Sequence, residues 1–283
     1  MSLSEEFEKT LFEKFKTGNE KLDHIIKATL IKLLKNISGV DMYQKICDET
    51  FCGLSITNSN DLDKIFERLK FKPVVYSNDI ENMNKQYIVV SNHPTGPLEG
   101  IFIQKIFDTI GLQGKLMGDD VMSGVHQMKD VYIGLSIRSD GKSRIAQLRK
   151  IKKEILNGFS LALFPAGAVS HFSLKDKKIT DYEWQPGFIE MAKSNNLDIL
   201  PIYIDANLSI FHYLFKELYE DISSLRLFRE SKMFVDRNNG KTVELYIGQP
   251  IKSSELESTF EDAQKIKEIC ENLMFQSYKN IKI

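Results

Sequence analysis

The sequence has only three cysteines, no long apolar run and no Pro/Gly-rich linker. Cys47, Cys52 and Cys270 form neither a disulfide framework nor a CxxC metal pair. An odd number of thiols is typical of a reducing compartment. No window approaches the ~20 uncharged apolar residues that a membrane-spanning helix needs, and the acidic N-terminus lacks the basic and apolar regions of a signal peptide. We therefore expect a cytoplasmic protein that acts on membranes, if it does so, peripherally from the inner surface.

The chain also lacks an excess of either charge. Lysine and arginine number 38 and aspartate and glutamate 39, a formal net charge of -1, so the whole molecule exerts no long-range attraction on nucleic acid. Hydrophobic residues make up 42% and charged residues 27%, values that match a globular protein and exclude a collagen-like, mucin-like or disordered chain. A chain of 283 residues can bury ~75% of its unfolded surface. It therefore needs neither a metal nor a disulfide to fold.

Two kinds of hydrophobic periodicity divide the chain. Residues 1–71 show helical spacing and are predicted to form a helical N-terminal extension. From residue 72 to 283, short β-branched runs alternate with amphipathic segments, a pattern typical of an α/β domain with a mostly parallel central sheet flanked by helices. The predicted strands are 87–91, 115–117, 132–137, 159–164, 199–204 and 243–247, and the predicted helices between them are 98–107, 144–156 and 187–193.

The two ends of the chain each predict an amphipathic helix. Between residues 21 and 37 an apolar stripe formed by Leu22, Ile26, Leu30, Leu33 and Ile37 faces away from lysines. Such a helix can lie on anionic lipid, but we expect it to cover the core with its lysines in water, since most amphipathic helices do so. At the other end, a closing helix is predicted from a cap at 253–255 through residue 273.

The strongest local motif runs from Val90 to Gly100 and places a histidine just after a strand and a carboxylate at a helix start. His93 and Glu99 can meet across this turn, with the imidazole as general base near neutral pH and the carboxylate fixing its tautomer. The alternative is that Asn92 and His93 only cap the turn. A second motif, Phe164–Ser170, also follows a strand, and its turn can present N–H groups to an anion.

These blocks carry a resemblance to a known family. The stretches 92–100, 164–170 and 200–204, followed by 181–187, 225–230 and 246–251, resemble the ordered blocks of the glycerolipid (lysophospholipid) acyltransferase superfamily. The similarity is closest to the PlsC-like bacterial branch that includes hemolysin-type and phospholipid/glycerol acyltransferases. It spans most of the chain and implies a glycerolipid acyltransferase-like α/β fold.

The resemblance implies transfer of a fatty acyl group from acyl-CoA or acyl carrier protein to a hydroxyl of a lyso-lipid such as 1-acylglycerol-3-phosphate. It assigns His93 as the general base and Glu99 as its partner. It requires no metal or redox cofactor, because the thioester co-substrate supplies the acyl group. The residues that it implies for substrate binding are Asn92, Gly96, Arg138, Phe164, Pro165, Gly167 and Ser170.

Two departures from the family pattern keep alternatives open. The usual first block has an aspartate at the position of Leu98, whereas here the carboxylate is Glu99, one residue later. This displacement motivates a non-catalytic lipid-binding protein on the same scaffold. The usual second block is FPEGTRS-like, and here Ala166, Ala168 and Val169 replace its glutamate, threonine and arginine. The missing arginine makes a phosphate-free lyso-aminolipid a further candidate acceptor.

Two other stretches are candidates for ligand contact. Basic residues between Lys142 and Lys153 line one predicted helix and would suit the phosphates of CoA, an acidic carrier protein or anionic lipid, although a solvated face is the commoner explanation. Aromatic residues between 210 and 222 could line an acyl chain or anchor at an interface. Such a stripe more often belongs to the core.

Overall fold

The computed structural model describes residues 3–78, 85–119, 128–135, 141–208, 213, 234–237 and 240–282. Helices precede the first strand, as the spacing predicts: α1 (Leu3–Phe15), α2 (Glu20–Ile25), a π-helical turn (Ile26–Ile31), α3 (Lys32–Ser38), α4 (Val40–Phe51) and α5 (Ser59–Leu69). The later helices are α6 (Glu99–Thr109), α7 (Gly141–Leu156), α8 (Gly187–Ser194) and α9 (Phe260–Glu271). The three helices predicted between the strands are confirmed.

Eight strands form one mixed sheet in the described part of the chain, and two more form a separate hairpin. The strands are β1 (Lys72–Ser77), β2 (Tyr87–Ser91), β3 (Gly114–Asp119), β4 (Tyr132–Leu135), β5 (Ser160–Leu163), β6 (His171–Ser173), β7 (Lys178–Thr180), β8 (Asp198–Asp205), β9 (Thr242–Ile247) and β10 (Asn280–Lys282). The order in the sheet is β10-β1-β9-β8-β2-β5-β3-β4. Only β8–β9 and β1–β10 pair antiparallel in this sheet. The predicted α/β class with a mostly parallel sheet is confirmed.

Strand β2 lies at the centre and sets the position of the first motif. It pairs parallel with β8, with Ser91 opposite Ile202, and with β5, with Val90 opposite Leu163. All five residues of β2 are buried. The chain leaves β2 at the carboxyl edge of the sheet, where ligands bind in open α/β sheets, and the Phe164 motif leaves β5 at the same edge.

Four strands do not appear in the sequence pattern: β1, the two strands of the β6–β7 hairpin, and β10. Each contains three to six residues, and the shorter ones offer too few positions for an alternation to show. β10 joins the sheet edge by pairing antiparallel with β1, with Val75 opposite Lys282. The chain therefore ends the described region on a strand rather than on the closing helix.

The closing helix begins later than predicted. Residues Ser253–Glu255 form a separate 3₁₀ turn. Helix α9 starts after Thr259, whose side chain accepts the main-chain N–H of Asp262 while the Asp262 carboxylate accepts the N–H of Thr259. This reciprocal capping box satisfies two N–H groups that a helix start leaves open, and the helix begins there instead of at the Ser253–Glu255 cap.

Two apolar layers pack on the two faces of the sheet. One joins the N-terminal helices, α6 and the sheet in a single cluster that includes Tyr43, Phe66, Phe102 and Leu245. The other lies under α7, α8 and α9 and includes Trp184. The helices before residue 71 thus share a core with the sheet, and the boundary drawn at residues 71 and 72 stays a prediction.

The helix from Glu20 to Ser38 does not face the core with its predicted stripe. Leu22, Leu30 and Leu33 are 50%, 37% and 56% exposed, whereas Ile31 is 1% exposed. A π-helical turn adds one residue to a helical turn, so the α-helical wheel is out of register beyond Ile26. The expectation that the stripe covers the core is wrong for these three leucines, whereas Ile26 of the stripe packs against the core together with Ile31 and Leu34. No described helix is long and apolar enough to cross a bilayer.

Candidate active site

The turn after β2 brings His93 and Glu99 together. Nδ1 of His93 hydrogen-bonds Oε2 of Glu99, and the two side chains are 15% and 0% exposed. The other carboxylate oxygen, Oε1, accepts the main-chain N–H groups of Thr95 and Gly96, the latter at 2.8 Å. Because the carboxylate holds Nδ1 as the protonated nitrogen, Nε2 is left as the basic one. The arrangement is a histidine–carboxylate pair in which the carboxylate is fully buried and the imidazole is partly exposed.

The one-residue displacement of the carboxylate is made up by the longer side chain. Leu98 is 2% exposed and belongs to the core, so it takes no part in the pair. Glu99 is the first residue of α6, where a negative charge is also favoured by the helix dipole. Gly96 has a φ of +94°, a conformation that a side chain would strain, and it lets the turn fold back on Glu99.

The second motif covers one face of the imidazole. The ring of Phe164 stacks on that of His93 with centroids 4.4 Å apart and planes inclined by 15°. The Gly167 N–H donates to the Phe164 carbonyl at 3.0 Å, and Gly167 has a φ of +65°. The carbonyl of Pro165 accepts the N–H of Gln185 at 3.2 Å. His93 and Phe164, which are 71 positions apart in the sequence, therefore contact each other at the carboxyl edge of the sheet.

Ser170 and Asp181 hold the main chain of His93. The Ser170 N–H donates to the His93 carbonyl at 2.7 Å. The Asp181 carboxylate accepts the His93 N–H at 3.1 Å, the Ser170 hydroxyl at 2.5 Å and the Trp184 indole N–H at 3.0 Å. Asp181 and Trp184 are missing from the residues assigned to the site from the sequence, although they lie in the block at 181–187 that resembles the family. The resemblance of that block to the family was the sequence signal that could have identified these two residues.

Burial raises the pKa of the Asp181 carboxyl, and hydrogen bonds from Ser170, His93 and Trp184 act in the lowering direction. Three donors, the His93 N–H, the Ser170 hydroxyl and the Trp184 indole N–H, converge on its two oxygens. Donors favour the ionised form. The group is thus a buried carboxyl whose two oxygens are held by N–H and O–H donors, and Lys267 Nζ donates to the main-chain carbonyl of the same residue at 2.5 Å.

Two further side chains connect this turn to the rest of the fold. The Asn92 amide donates to the Ile204 carbonyl at 3.0 Å and accepts the Ile204 N–H at 2.8 Å. The hydroxyl of the buried Tyr213 donates to the Pro94 carbonyl at 2.6 Å. The amide of Asn92 is therefore engaged with strand β8, and its assignment to substrate binding stays a prediction.

Some predicted contacts lie outside the described residues. Arg138 is one of them, as is most of the aromatic stretch between 210 and 222 and the block at 225–230. On α7, Arg149, Lys150, Lys152 and Lys153 are exposed, and Ile145, Leu148 and Leu156 are exposed beside them at 52%, 61% and 77%. The basic helix thus has an outer face that is both cationic and apolar.

Comparisons with known proteins give a family model, a curated relative and a solved structure. A family model described as acyltransferase matches residues 62–279. A lyso-glycine lipid O-acyltransferase from Bacteroides thetaiotaomicron is 26% identical over 250 residues, which are 81% of this chain and 87% of that protein. The crystal structure of the 1-acyl-sn-glycerophosphate (LPA) acyltransferase PlsC from Thermotoga maritima aligns with a TM-score of 0.49 and 17% identity, over 95% of this chain and 88% of that chain.

Proposed function

The chain belongs to the acyltransferase family, whose model covers most of its length, and on that premise we propose that it moves a fatty acyl group from a thioester to the hydroxyl of a lyso-lipid with His93 as general base. The resemblance of its ordered motifs is confirmed by this membership. The observation that carries the proposed mechanism is the contact of His93 Nδ1 with the buried Glu99 carboxylate. A displaced carboxylate that still reaches the imidazole supports a catalytic role over the non-catalytic alternative.

The proposed reaction needs one base and no covalent intermediate. Nε2 of His93 takes the proton of the lyso-lipid hydroxyl, and the hydroxyl oxygen forms a bond with the thioester carbonyl carbon. The tetrahedral intermediate then expels the thiolate, which receives the proton from the imidazolium, so an ester and a free thiol result. Glu99 stabilises the imidazolium between the two steps, and N–H groups of the turns near His93 are available to the oxyanion.

The thioester itself supplies the acyl group and the leaving group, so the balance of atoms calls for no metal or redox cofactor. The donor is acyl-CoA or acyl carrier protein. Exposed cations on α7, at Arg149, Lys150, Lys152 and Lys153, suit either the phosphates of CoA or an acidic carrier surface.

Two classes of acceptor compete for the site. A lyso-lipid with a phosphate, such as 1-acylglycerol-3-phosphate, is the acceptor that the family resemblance implies. A phosphate-free lyso-lipid is favoured by Val169, which is 6% exposed in the position of the usual phosphate-binding arginine, and by the similarity to a lyso-glycine lipid O-acyltransferase. We rank the phosphate-free acceptor as the second candidate to be assayed beside the first.

A membrane surface is the place where such an acceptor resides. The outer face of the helix from Glu20 to Ser38 exposes Leu22, Ile25, Leu30 and Leu33 together with Lys21 and Lys32. Apolar side chains flanked by lysines bind the headgroup region of anionic bilayers. We therefore propose peripheral binding to the inner face of the cell membrane.

Thioester consumption with a panel of lyso-lipids tests the function. Free thiol release from acyl-CoA is measured with 1-acylglycerol-3-phosphate, a lyso-glycine lipid, and no acceptor. His93→Ala is expected to lower the rate ~10²–10⁴-fold without changing the melting temperature by more than a few degrees. Thiol release within a few-fold of wild type in His93→Ala would overturn the mechanism, and lipid binding without thiol release in the wild type would favour the lipid-binding alternative.

A further inference from the structure

The main chain of His93 is held by other residues than those that contact its imidazole ring. Glu99 and Phe164 contact the imidazole, whereas the N–H and carbonyl of residue 93 bond the Asp181 carboxylate and the Ser170 N–H. Residue 93 lies two residues beyond Ser91, the last residue of β2, so neither group is bonded within the sheet. Asp181 and Ser170 supply the hydrogen-bond partners that a neighbouring strand would otherwise provide.

One carboxylate connects the three parts of this arrangement. Oδ1 of Asp181 accepts both the His93 N–H at 3.1 Å and the Ser170 hydroxyl at 2.5 Å. Oδ2 accepts the His93 N–H at 3.2 Å and the Trp184 indole N–H at 3.0 Å. Trp184 is 0% exposed and packs in the second core layer. Movement of His93 away from the second motif would therefore break bonds that are anchored in the core.

Asp181 is 2% exposed, and burial disfavours the charged form of a carboxyl group. A neutral acceptor could bond the His93 N–H alone. Both oxygens of a carboxylate can accept, so one group bonds His93, Ser170 and Trp184 together, whereas an amide replaces one of the two acceptors by a donor.

We propose that Asp181 is a positioning residue for acyl transfer: it fixes the main chain of His93 against Ser170 and Trp184, so that the imidazole meets the acceptor hydroxyl in a reactive geometry. This inference rests on the proposed role of His93 as base. A misplacement of ~1 Å at a reacting group can cost ~10²-fold in rate, which sets the size of the expected effect.

The test compares kcat and KM of wild type, Asp181→Asn, Ser170→Ala, His93→Ala and the double variant His93→Ala/Asp181→Asn. Rates are measured at a temperature where circular dichroism shows every variant folded. Asp262→Asn is the matched control, because that carboxylate also accepts main-chain N–H groups, of Glu257 and Thr259, but caps α9. It is expected to lower the melting temperature and to leave kcat unchanged.

Asp181→Asn is expected to lower kcat ~10–100-fold with little change in KM, and to cause no further fall in the His93→Ala background. Ser170→Ala should also lower kcat, by a smaller factor than Asp181→Asn. If Asp181→Asn does not fold, the kcat of Ser170→Ala tests the positioning role instead. An unchanged kcat in the folded Asp181→Asn or Ser170→Ala protein, or an equal fall in both backgrounds, overturns the inference. Full activity of His93→Ala overturns the proposed mechanism and this inference together, whereas an inactive His93→Ala beside a fully active Asp181→Asn overturns this inference only.

Discussion

Glu99 decides whether the first motif is catalytic or only a turn. Its carboxylate is fully buried, and one oxygen bonds the Thr95 and Gly96 N–H groups while the other bonds Nδ1 of His93. A carboxylate that served the helix dipole alone would need no contact with the imidazole. The longer side chain of glutamate thus lets a carboxylate at position 99 contact Nδ1 of His93.

Glu99→Gln should slow turnover by ~10²-fold or more. The amide oxygen of the glutamine can still accept the Thr95 and Gly96 N–H groups, but the amide NH₂ of the same side chain then faces Nδ1 of His93. Nδ1 must accept, the proton moves to Nε2, and the nitrogen that should take the substrate proton is blocked. Turnover and melting temperature are measured on the same preparation.

Glu190→Gln is the control for the helix-dipole explanation, because Glu190 is an exposed carboxylate in the first turn of α8. A first-turn carboxylate contributes ~0.3–1 kcal/mol to stability and nothing to turnover. If Glu99→Gln behaves as Glu190→Gln does, with unchanged turnover and a slightly lowered melting temperature, His93 lacks this partner.

At the scale of the element, the helix from Glu20 to Ser38 shows how one irregular turn redirects a face. The π-helical turn at Ile26–Ile31 directs Ile31 into the core and leaves Leu30 and Leu33 exposed. Lys35 lies within 3.6 Å of Glu8 and 3.4 Å of Asp41, so it binds α1 and α4 rather than a ligand. The outward face keeps its apolar side chains with Lys21 and Lys32 beside them.

Binding to vesicles should require this outward face. Sedimentation with anionic phospholipid vesicles is expected to exceed that with neutral vesicles and to weaken as salt shortens the Debye length from ~10 Å at 0.1 M to ~3 Å at 1 M. Leu30→Ser/Leu33→Ser should weaken binding at least ~10-fold, because each buried leucine contributes ~1.5–3 kcal/mol.

Leu174→Ser serves as the control for vesicle binding, since Leu174 is 72% exposed at the tip of the β6–β7 hairpin. It should bind vesicles as wild type does. Equal sedimentation with neutral and anionic vesicles, or equal losses in the two leucine variants, would contradict the assignment of the membrane face.

For the whole molecule, the decisive feature is that the N-terminal helices and the sheet share one core. Phe66 of α5 stacks on Phe102 of α6 with centroids 5.6 Å apart, and Phe71 lies 6.0 Å from the same ring. Arg68 donates to the carbonyls of Thr50 and Cys52 at 2.9 and 3.0 Å, which joins the end of α4 to α5. Helix α6, which begins with Glu99, is therefore packed between the sheet and the N-terminal helices.

A fragment of residues 72–283 should fail to unfold cooperatively. Removing α1–α5 exposes the buried face of α6, and losing the contacts of a single buried phenylalanine already costs ~3–5 kcal/mol, a large share of the ~5–15 kcal/mol that stabilises a domain. Thermal unfolding by circular dichroism, with the full chain as reference, is the measurement. A cooperative transition near that of the full chain would show that residues 1–71 are an independent extension.

Local sequence determined the class of fold and the place of the site. Short apolar runs predict β2, β5 and β8, because a strand buried on both faces must be apolar throughout. Parallel neighbours end at one edge, so His93 after β2 and Phe164 after β5 had to lie near each other. The residue identities, the strand ends and the order of the motifs are all local properties, and they were sufficient for the family.

Tertiary structure decided what depends on distance through the fold. That Glu99 reaches His93 depends on a left-handed Gly96, and that Asp181 bonds His93 depends on a chain path of 88 residues. The register of the helix from Glu20 to Ser38 depends on one π-helical turn, which a wheel with a fixed period cannot represent. Periodicity records which face of an element is apolar, but the contacts between elements are set by how the chain packs, and a buried carboxylate such as Asp181 gains its role only when three donors from separate segments converge on it.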